Sequence, residues 1–168
     1  MQEPKISAKA SFYNIEHILI GHNSRIDDFC VLSAGLGGID IGRNVHIAVY
    51  TSLMGAGKIT IEDFANLSSR VAVYSSNDDY SGHFMTNPTV PAKYTDVTHA
   101  PVHIGRHVIV GCGAVILPGV TIGEGAAIGA LSLVKDDVEP FAIYAGVPAK
   151  KVGMRHKGLL DIERKWLG

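Results

Sequence analysis

The sequence predicts an all-β solenoid, a three-sided parallel β-helix, and two regularities carry that prediction. The first is an aliphatic residue on a six-residue period: Ile20, Ile26, Ile41, Ile47, Ile61, Leu67, Ile104, Val110, Ile116, Ile122 and Ile128. The second is a small residue four places after each of these: Ser24, Cys30, Val45, Thr51, Ala65, Val71, Val108, Ala114, Val120, Ala126 and Ser132. The phase resumes after each of three interruptions, which neither a helical nor a hairpin pattern would do.

Each hexapeptide supplies one short strand and one turn, and three of them close one flat coil. The aliphatic side chain points inward and stacks on its equivalent one coil away, which stabilises by roughly 1.5–3 kcal/mol per buried side chain. The small residue points inward near a corner, where a larger one would not fit. Glycine follows the aliphatic residue at Gly21, Gly42, Gly105, Gly111, Gly123 and Gly129, where it is expected to ease the backbone at the turn. A charge at Ile116 or Ile122 is expected to be severely destabilising.

The 168 residues suffice for a single domain with a real core. Residues 1–19 form a lead-in, 20–73 the first coils, 74–103 an inserted loop, 104–135 the last coils, and 136–168 a return segment with a short C-terminal helix. Within the first coils, Ser33–Asp40 and Met54–Thr60 are glycine-rich widenings of coil corners. The 74–103 segment is polar and aromatic, with Pro88, Pro91 and Pro101, and a loop of that length in a compact domain is usually functional. At the C-terminus, Leu159, Leu160, Ile162 and Trp166 can share one helical face.

A formal net charge of −1 leaves no basic surplus for neutralising phosphates, so nucleic acid is not an expected partner. No apolar run approaches the ~18 residues of a membrane span, and the N-terminus lacks the apolar stretch of a signal peptide. The two cysteines, Cys30 and Cys112, do not make a disulfide framework. A cytoplasmic protein is the expectation.

From about Ile41 to Arg155 the chain resembles the galactoside, maltose and xenobiotic acetyltransferase branch of the hexapeptide-repeat acyltransferases. The residues that carry this are VILPGVTIGEGAAIGALSLV, then a short acidic turn, then YAGVPAKKV. SSNDDYSG with TNPTVP is similar to a subgroup associated with surface-polysaccharide genes. The resemblance implies a left-handed β-helix, a handedness that periodicity does not supply. It also implies a homotrimer with active sites between subunits, acetyl-CoA as acyl donor, no metal, and a sugar or nucleotide-sugar acceptor. Residue by residue, it puts Cys112 where the family has a small residue beside the thioester, Gly129 and Ala130 along the pantetheine groove, and Lys135, Lys150 and Lys151 at the basic positions near the CoA phosphates. Gly111 joins them as a candidate, because a backbone amide near Gly111 or Gly129 would serve the oxyanion.

In this branch the catalytic base is a histidine at the entry to the long loop, a residue whose pKa suits the task. Asp78 stands at that place here. Three alternatives follow: His83 folding back into the cleft, the Asp78/Asp79 pair, or His99 from the second arm of the loop. An amine acceptor relaxes the demand, since it attacks in its neutral form and a carboxylate or water can collect the proton. His46, Tyr50, Tyr74 and Tyr80 are candidates to line the acceptor pocket.

Two other classes compete. His99, His103 and His107, spaced by four, suggest a zinc enzyme similar to the γ-class carbonic anhydrases, although the last two flank a bend. A non-catalytic β-helix binding protein would explain the missing histidine, but not the YAGVPAKK segment.

Overall fold

A computed structural model describes residues 2–168. The chain winds as a left-handed parallel β-helix with three flat faces and one C-terminal helix. The first face stacks the strands that begin at Lys5, Arg25, His46, Asn66, Ile109, Ala127 and Ala142. The second stacks those from Ser11, Val31, Ser52, Ala72, Val115 and Leu133. The third stacks those from Ile18, Ile39, Ile59, Val102 and Thr121.

Register follows the repeat. Ile26 pairs with Ile47, Ile47 with Leu67, Leu67 with Val110 and Val110 with Ile128. These side chains, with Leu32, Leu53, Val73 and Ile116 from the second face and Ile41, Ile61, Ile104 and Ile122 from the third, form one continuous buried core. The small residues Ser24, Thr51 and Ser132 are also buried, and their hydroxyls engage main-chain groups: Ser24 and Thr51 donate to Gly42 O and Ser68 O, and Ser132 accepts from Gly146 N–H. A polar inward position therefore carries its own hydrogen bond.

The column begins one coil earlier than the repeat suggests. Lys5–Ile6, Ser11–Tyr13 and Ile18–Ile20 already pair with the next coil. Ile6, Phe12 and Ile18 keep the six-residue phase, but Ile6 is exposed and Phe12 half-buried because no described residue covers the outer end of the column. At the other end, Ala142–Gly146 adds in parallel to the first face, and Ala149–Met154 folds back antiparallel on it.

The glycines after the aliphatic residues have a different purpose from the one expected. None of Gly21, Gly42, Gly105, Gly111, Gly123 or Gly129 adopts a positive φ. Instead the next coil passes too close for a side chain: a Cβ on Gly111 would lie 2.5 Å from Ala130 N and 2.8 Å from Gly129 C. The left-handed corners fall to Asn23, Asn44, Phe64 and His107 on one edge and to Phe29, Tyr50 and Arg70 on another. Such conformations are uncommon for bulky residues. At these edges the rings stack along the column, Phe29 on Tyr50 at 5.1 Å and Phe64 on His107 at 5.0 Å.

The three interruptions share one edge, between the second and third faces. The two glycine-rich widenings stack there, with the Gly37 N–H bonded to Ala56 O. The long loop leaves from the same edge, one coil further on. The C-terminal helix, Gly158–Leu167, docks on the edge that holds Phe64 and His107. Glu163 accepts a hydrogen bond from His107 Nε2 at 2.8 Å and pairs with Arg106, while Trp166 meets Phe64 edge-on at 5.8 Å. Among the described residues, no helix is long and apolar enough to cross a membrane.

Candidate active site

The long loop is anchored before it begins. Ser75 is fully buried, and its hydroxyl donates to Gly57 O at 2.7 Å. The Ala100 N–H donates to Ser75 O at 3.0 Å, so both ends of the loop meet at the column edge. The arms then zip together as a short antiparallel pair, Ser76 opposite His99 and Asn77 opposite Thr98. Ser76 Oγ accepts the Ala56 N–H at 2.7 Å and lies 2.8 Å from His99 Nδ1. With one Ser76 lone pair taken, its hydroxyl proton is free to donate to Nδ1, which puts the proton of a neutral His99 ring on Nε2.

Asp78 follows this zipper and borders two cavities. One, of about 420 Å³, lies against the second face and is lined by Tyr74, Ser76, Asn77, Asp78, Tyr80, Val115 and Leu117. The other, of about 370 Å³, lies inside the loop, where Ser76, Asp78 and His99 meet Asn87, Val90 and Val97. The structure therefore brings together Asp78, Tyr74, Tyr80 and His99.

The other loop candidates are engaged elsewhere. Asp79 organises a turn: its carboxylate accepts from Ser81 N and Oγ, from Gly82 N and from Phe84 N. The hydrogen bond from the Ser81 hydroxyl, with those amides, holds its carboxyl below the usual carboxylate range. His83 Nδ1 lies 2.7 Å from Ser81 Oγ, and His83 lines neither cavity beside Asp78. His46 belongs to a polar ladder on the first face, bonded to Asp27 at 2.9 Å and Asn66 at 3.1 Å. Burial pushes the Asp27 carboxyl up, but the His46 and Arg25 hydrogen bonds outweigh it and hold the group low. Tyr50 is held in its corner stack between Phe29 and Arg70.

Most of the residues proposed for the acyl donor lie along one edge, and Lys135 does not. Gly111, Gly129 and Ala145 occupy successive coils of the same edge, and Lys150 pairs with Ala145 across the terminal hairpin. Cys112 is exposed beside them. The Gly111 and Gly129 amides cannot serve as free donors, because they bond Ile128 O and Tyr144 O at 2.8 Å. The amides one place on, at Cys112 and Ala130, have no intrachain acceptor among the described residues. Lys151 is paired with Glu139 at 2.6 Å, an interaction that raises its pKa. Lys135, beside Asp136, lies on a different edge, after the second-face strand Leu133–Val134.

His99, His103 and His107 go three ways, to Ser76, Glu62 and Glu163. Sequence reasoning missed Ser76, whose partners Ala56 and His99 are remote in the chain. It also missed Arg155, whose guanidinium donates to the carbonyls of His107, Gly125 and Ala126 and ties the return segment to the column. No periodic signal marks either residue.

Residues 101–136 match the bacterial transferase hexapeptide (six repeats) family. Over 159 residues the chain is 59% identical to a dTDP-4-amino-4,6-dideoxy-D-glucose acyltransferase of Escherichia coli, covering 95% of this chain and 83% of that protein. Among solved structures, a serine variant of AntD, an N-acyltransferase from Bacillus cereus in complex with dTDP-4-amino-4,6-dideoxyglucose and coenzyme A, matches with a TM-score of 0.94 at 44% identity, covering 99% of this chain and 88% of that one. A galactoside acetyltransferase in complex with coenzyme A matches with a TM-score of 0.70 at 26% identity, covering 84% of this chain and 68% of that one. Identity of this degree, over nearly the whole length and on the same column, means that the chain belongs to the hexapeptide-repeat transferase family, as an acyl-CoA-dependent acyltransferase of sugars.

Proposed function

We propose that the protein transfers an acyl group from acyl-CoA, with acetyl-CoA as the simplest donor, to the 4-amino group of dTDP-4-amino-4,6-dideoxyglucose. The observation that carries this is Asp78, a carboxylate that borders both loop cavities where an O-acetyltransferase of this branch would carry a histidine. A hydroxyl acceptor needs a base near neutral pKa to become a nucleophile. An amine attacks as its free base, so a carboxylate that orients it and collects its proton is sufficient. The E. coli relative carries this substrate in its name. AntD has been studied with substitutions at a serine and at an aspartate ten residues beyond it. Ser68 and Asp78 have the same separation here, as do Ser69 and Asp79. Asp79 is committed to its turn, which leaves Asp78 as the residue that meets the amine.

The chemistry is a direct displacement. The amine nitrogen attacks the thioester carbonyl carbon, and the oxyanion receives hydrogen bonds from the free Cys112 and Ala130 amides, which a second copy of the chain brings to the loop because the two sites lie on different edges of one column. The C–S bond breaks as the carbonyl re-forms. Asp78 takes the proton that the nitrogen sheds, and the CoA thiolate is protonated in turn. Tyr74, Tyr80 and His99 hold the acceptor. The pantetheine runs along the Gly111–Gly129 edge, and Lys150, which has no ion-pair partner among the described residues, meets the phosphates with Lys151.

The working form is a homotrimer in the cytoplasm, with its product feeding surface-polysaccharide assembly. The second face supports the assembly. Its outward residues Val31, Ser33, Ser52, Ala72, Val115 and Leu133 are uncharged. That face adjoins a corner where Phe29, Tyr50 and Leu131 are exposed. An uncharged face beside exposed apolar side chains suits burial against another copy. The test is thiol release from acetyl-CoA on addition of dTDP-4-amino-4,6-dideoxyglucose, with mass spectrometry of the sugar nucleotide. One acylated amine per thiol is expected, and no thiol release with this acceptor would overturn the reading.

A further inference from the structure

The cavity inside the loop shares Ser76 and Asp78 with the one against the second face and differs from it in character. Its walls are Pro88, Val90, Ala92 and Val97, and its polar groups, Ser76, Asp78, Asn87, Thr95 and His99, include the carboxylate assigned to the amine. Val90 and Thr95 are half-buried, and Asn87 is fixed by accepting hydrogen bonds from Thr89 N and Oγ at 2.9 and 2.6 Å. The pocket is therefore built by the loop itself, largely apolar, and open to Asp78.

The covalent structure of the acceptor constrains what can enter. In a 4-amino-4,6-dideoxyhexose the amine is on C4, and the methyl group C6 is on the neighbouring carbon C5. Once Asp78 holds the amine, the methyl lies beside it and must enter a cavity that Asp78 borders. In the proposed reaction the cavity against the second face is the side of Asp78 on which the amine meets the thioester. That leaves the loop cavity for the methyl, and its aliphatic walls match such a group.

We infer that the loop cavity is the specificity pocket for the 6-deoxy methyl group of the acceptor, with Val90 and Val97 selecting a methyl over a hydroxymethyl at C5. The inference rests on the proposed N-acyl transfer and adds the feature of the sugar by which the enzyme discriminates. Burying a hydroxyl against these valines leaves it without a partner, and apolar pockets discriminate by about 10- to 100-fold at this level of difference.

The test compares kcat/KM for dTDP-4-amino-4,6-dideoxyglucose and its 6-hydroxy analogue, in the wild type and in Val90→Thr, Val97→Thr and the double variant. Threonine keeps the shape of valine and offers the 6-hydroxyl a partner. The wild type is expected to prefer the 6-deoxy sugar by at least about tenfold. The double variant should lose most of that preference, chiefly by a gain with the 6-hydroxy sugar, while KM for acyl-CoA stays put. A preference that survives in the double variant overturns the pocket assignment. A changed preference among acetyl-, butyryl- and 3-hydroxybutyryl-CoA instead would mean that the cavity holds the acyl chain, and overturns it too. No transfer to either sugar by the wild type removes the underlying reading, whereas transfer to both sugars at equal rates removes this inference alone.

Discussion

Replacing Gly111 by alanine separates two explanations for the glycines of the repeat. If they gave conformational freedom at turns, Gly111→Ala would cost little, since Gly111 has no positive φ, and Gly113→Ala would cost more, since Gly113 sits at φ 71°. The geometry predicts the reverse order. A Cβ at Gly111 meets backbone atoms of the next coil, Ala130 N at 2.5 Å and Ile128 O at 2.8 Å. A Cβ at Gly113 meets only the Leu131 side chain, at 2.8 Å. Forcing an atom against backbone costs about 1–3 kcal/mol by overpacking. Parting the coils also strains the ladder bonds Gly111 N to Ile128 O and Leu131 N to Cys112 O, each with a net contribution of about 1 kcal/mol. The sum is about 3–5 kcal/mol, or a fall in Tm of about 10 °C for a chain of this size. Gly113→Ala incurs a left-handed penalty of about 1–2 kcal/mol. Thermal unfolding at one fixed protein concentration, with calorimetric CoA titration of the folded variants, measures both. A Gly111→Ala protein that melts with the wild type, or above Gly113→Ala, would refute the close-approach argument.

Three further expectations follow. Asp78→Asn should lower kcat/KM for the amino sugar by about 100-fold or more with CoA binding retained, whereas His83→Ala should stay within a few-fold of wild type; the reverse order would return the base to His83. Burial, then the neighbouring Arg106 charge, holds the His107 imidazole below its ordinary value. The unfolded chain therefore takes up a proton there before the folded one does, and the stability from docked, neutral His107 is complete above pH ~6.5 and lost as pH falls through the lower folded value. Emission from the single tryptophan, Trp166, packed on the same Phe64 as His107, should report that loosening, and His107→Phe should abolish it. Lys150→Ala should raise KM for acyl-CoA about tenfold, the scale of one charge-assisted hydrogen bond, and by more than Lys151→Ala, because Lys151 is already engaged by Glu139; equal effects would refute the distinction.

The parts of this molecule legible in the sequence are those that the column repeats. A six-residue period puts Ile47, Leu67 and Val110 in one inward stack, and it locates the widenings and the long loop as gaps in that period. The first coil was harder to see, since an end coil buries only part of its apolar face and Ile6 and Phe12 lie among polar neighbours. The edge proposed for the donor was legible for the same reason as the core: Gly111 and Gly129 are one period-related position seen twice. Their use by the ladder was not, because it depends on hydrogen bonds between coils, and these moved the free amides to Cys112 and Ala130. The loop chemistry was the least legible. Nothing in SSNDDYSGH distinguishes a carboxylate that closes a turn from one that faces a cavity. Only the packing of the loop separates Asp79 from Asp78.

That difference in legibility has a structural cause. Ser75 and Ala100 are bonded to each other, and Lys58 O receives the Val102 N–H at 2.8 Å, so the coil closes across the base of the loop almost as if residues 76–99 were absent. The ladder therefore constrains where the loop starts and ends, but not its length or its contents. The edge proposed for the donor has less freedom, because Gly111, Cys112 and Gly129 also hold two coils in register. CoA is a fixed chemical partner and suits a surface that the fold cannot vary without losing stability. In the proposed reaction the acceptor is the variable partner, and it is met largely by the long loop, whose sequence the column leaves unconstrained. In this architecture sugar specificity can change through new residues between Ser75 and Ala100 without disturbing the ladder, which is why the valines of the loop cavity are where selection among amino sugars should first be sought.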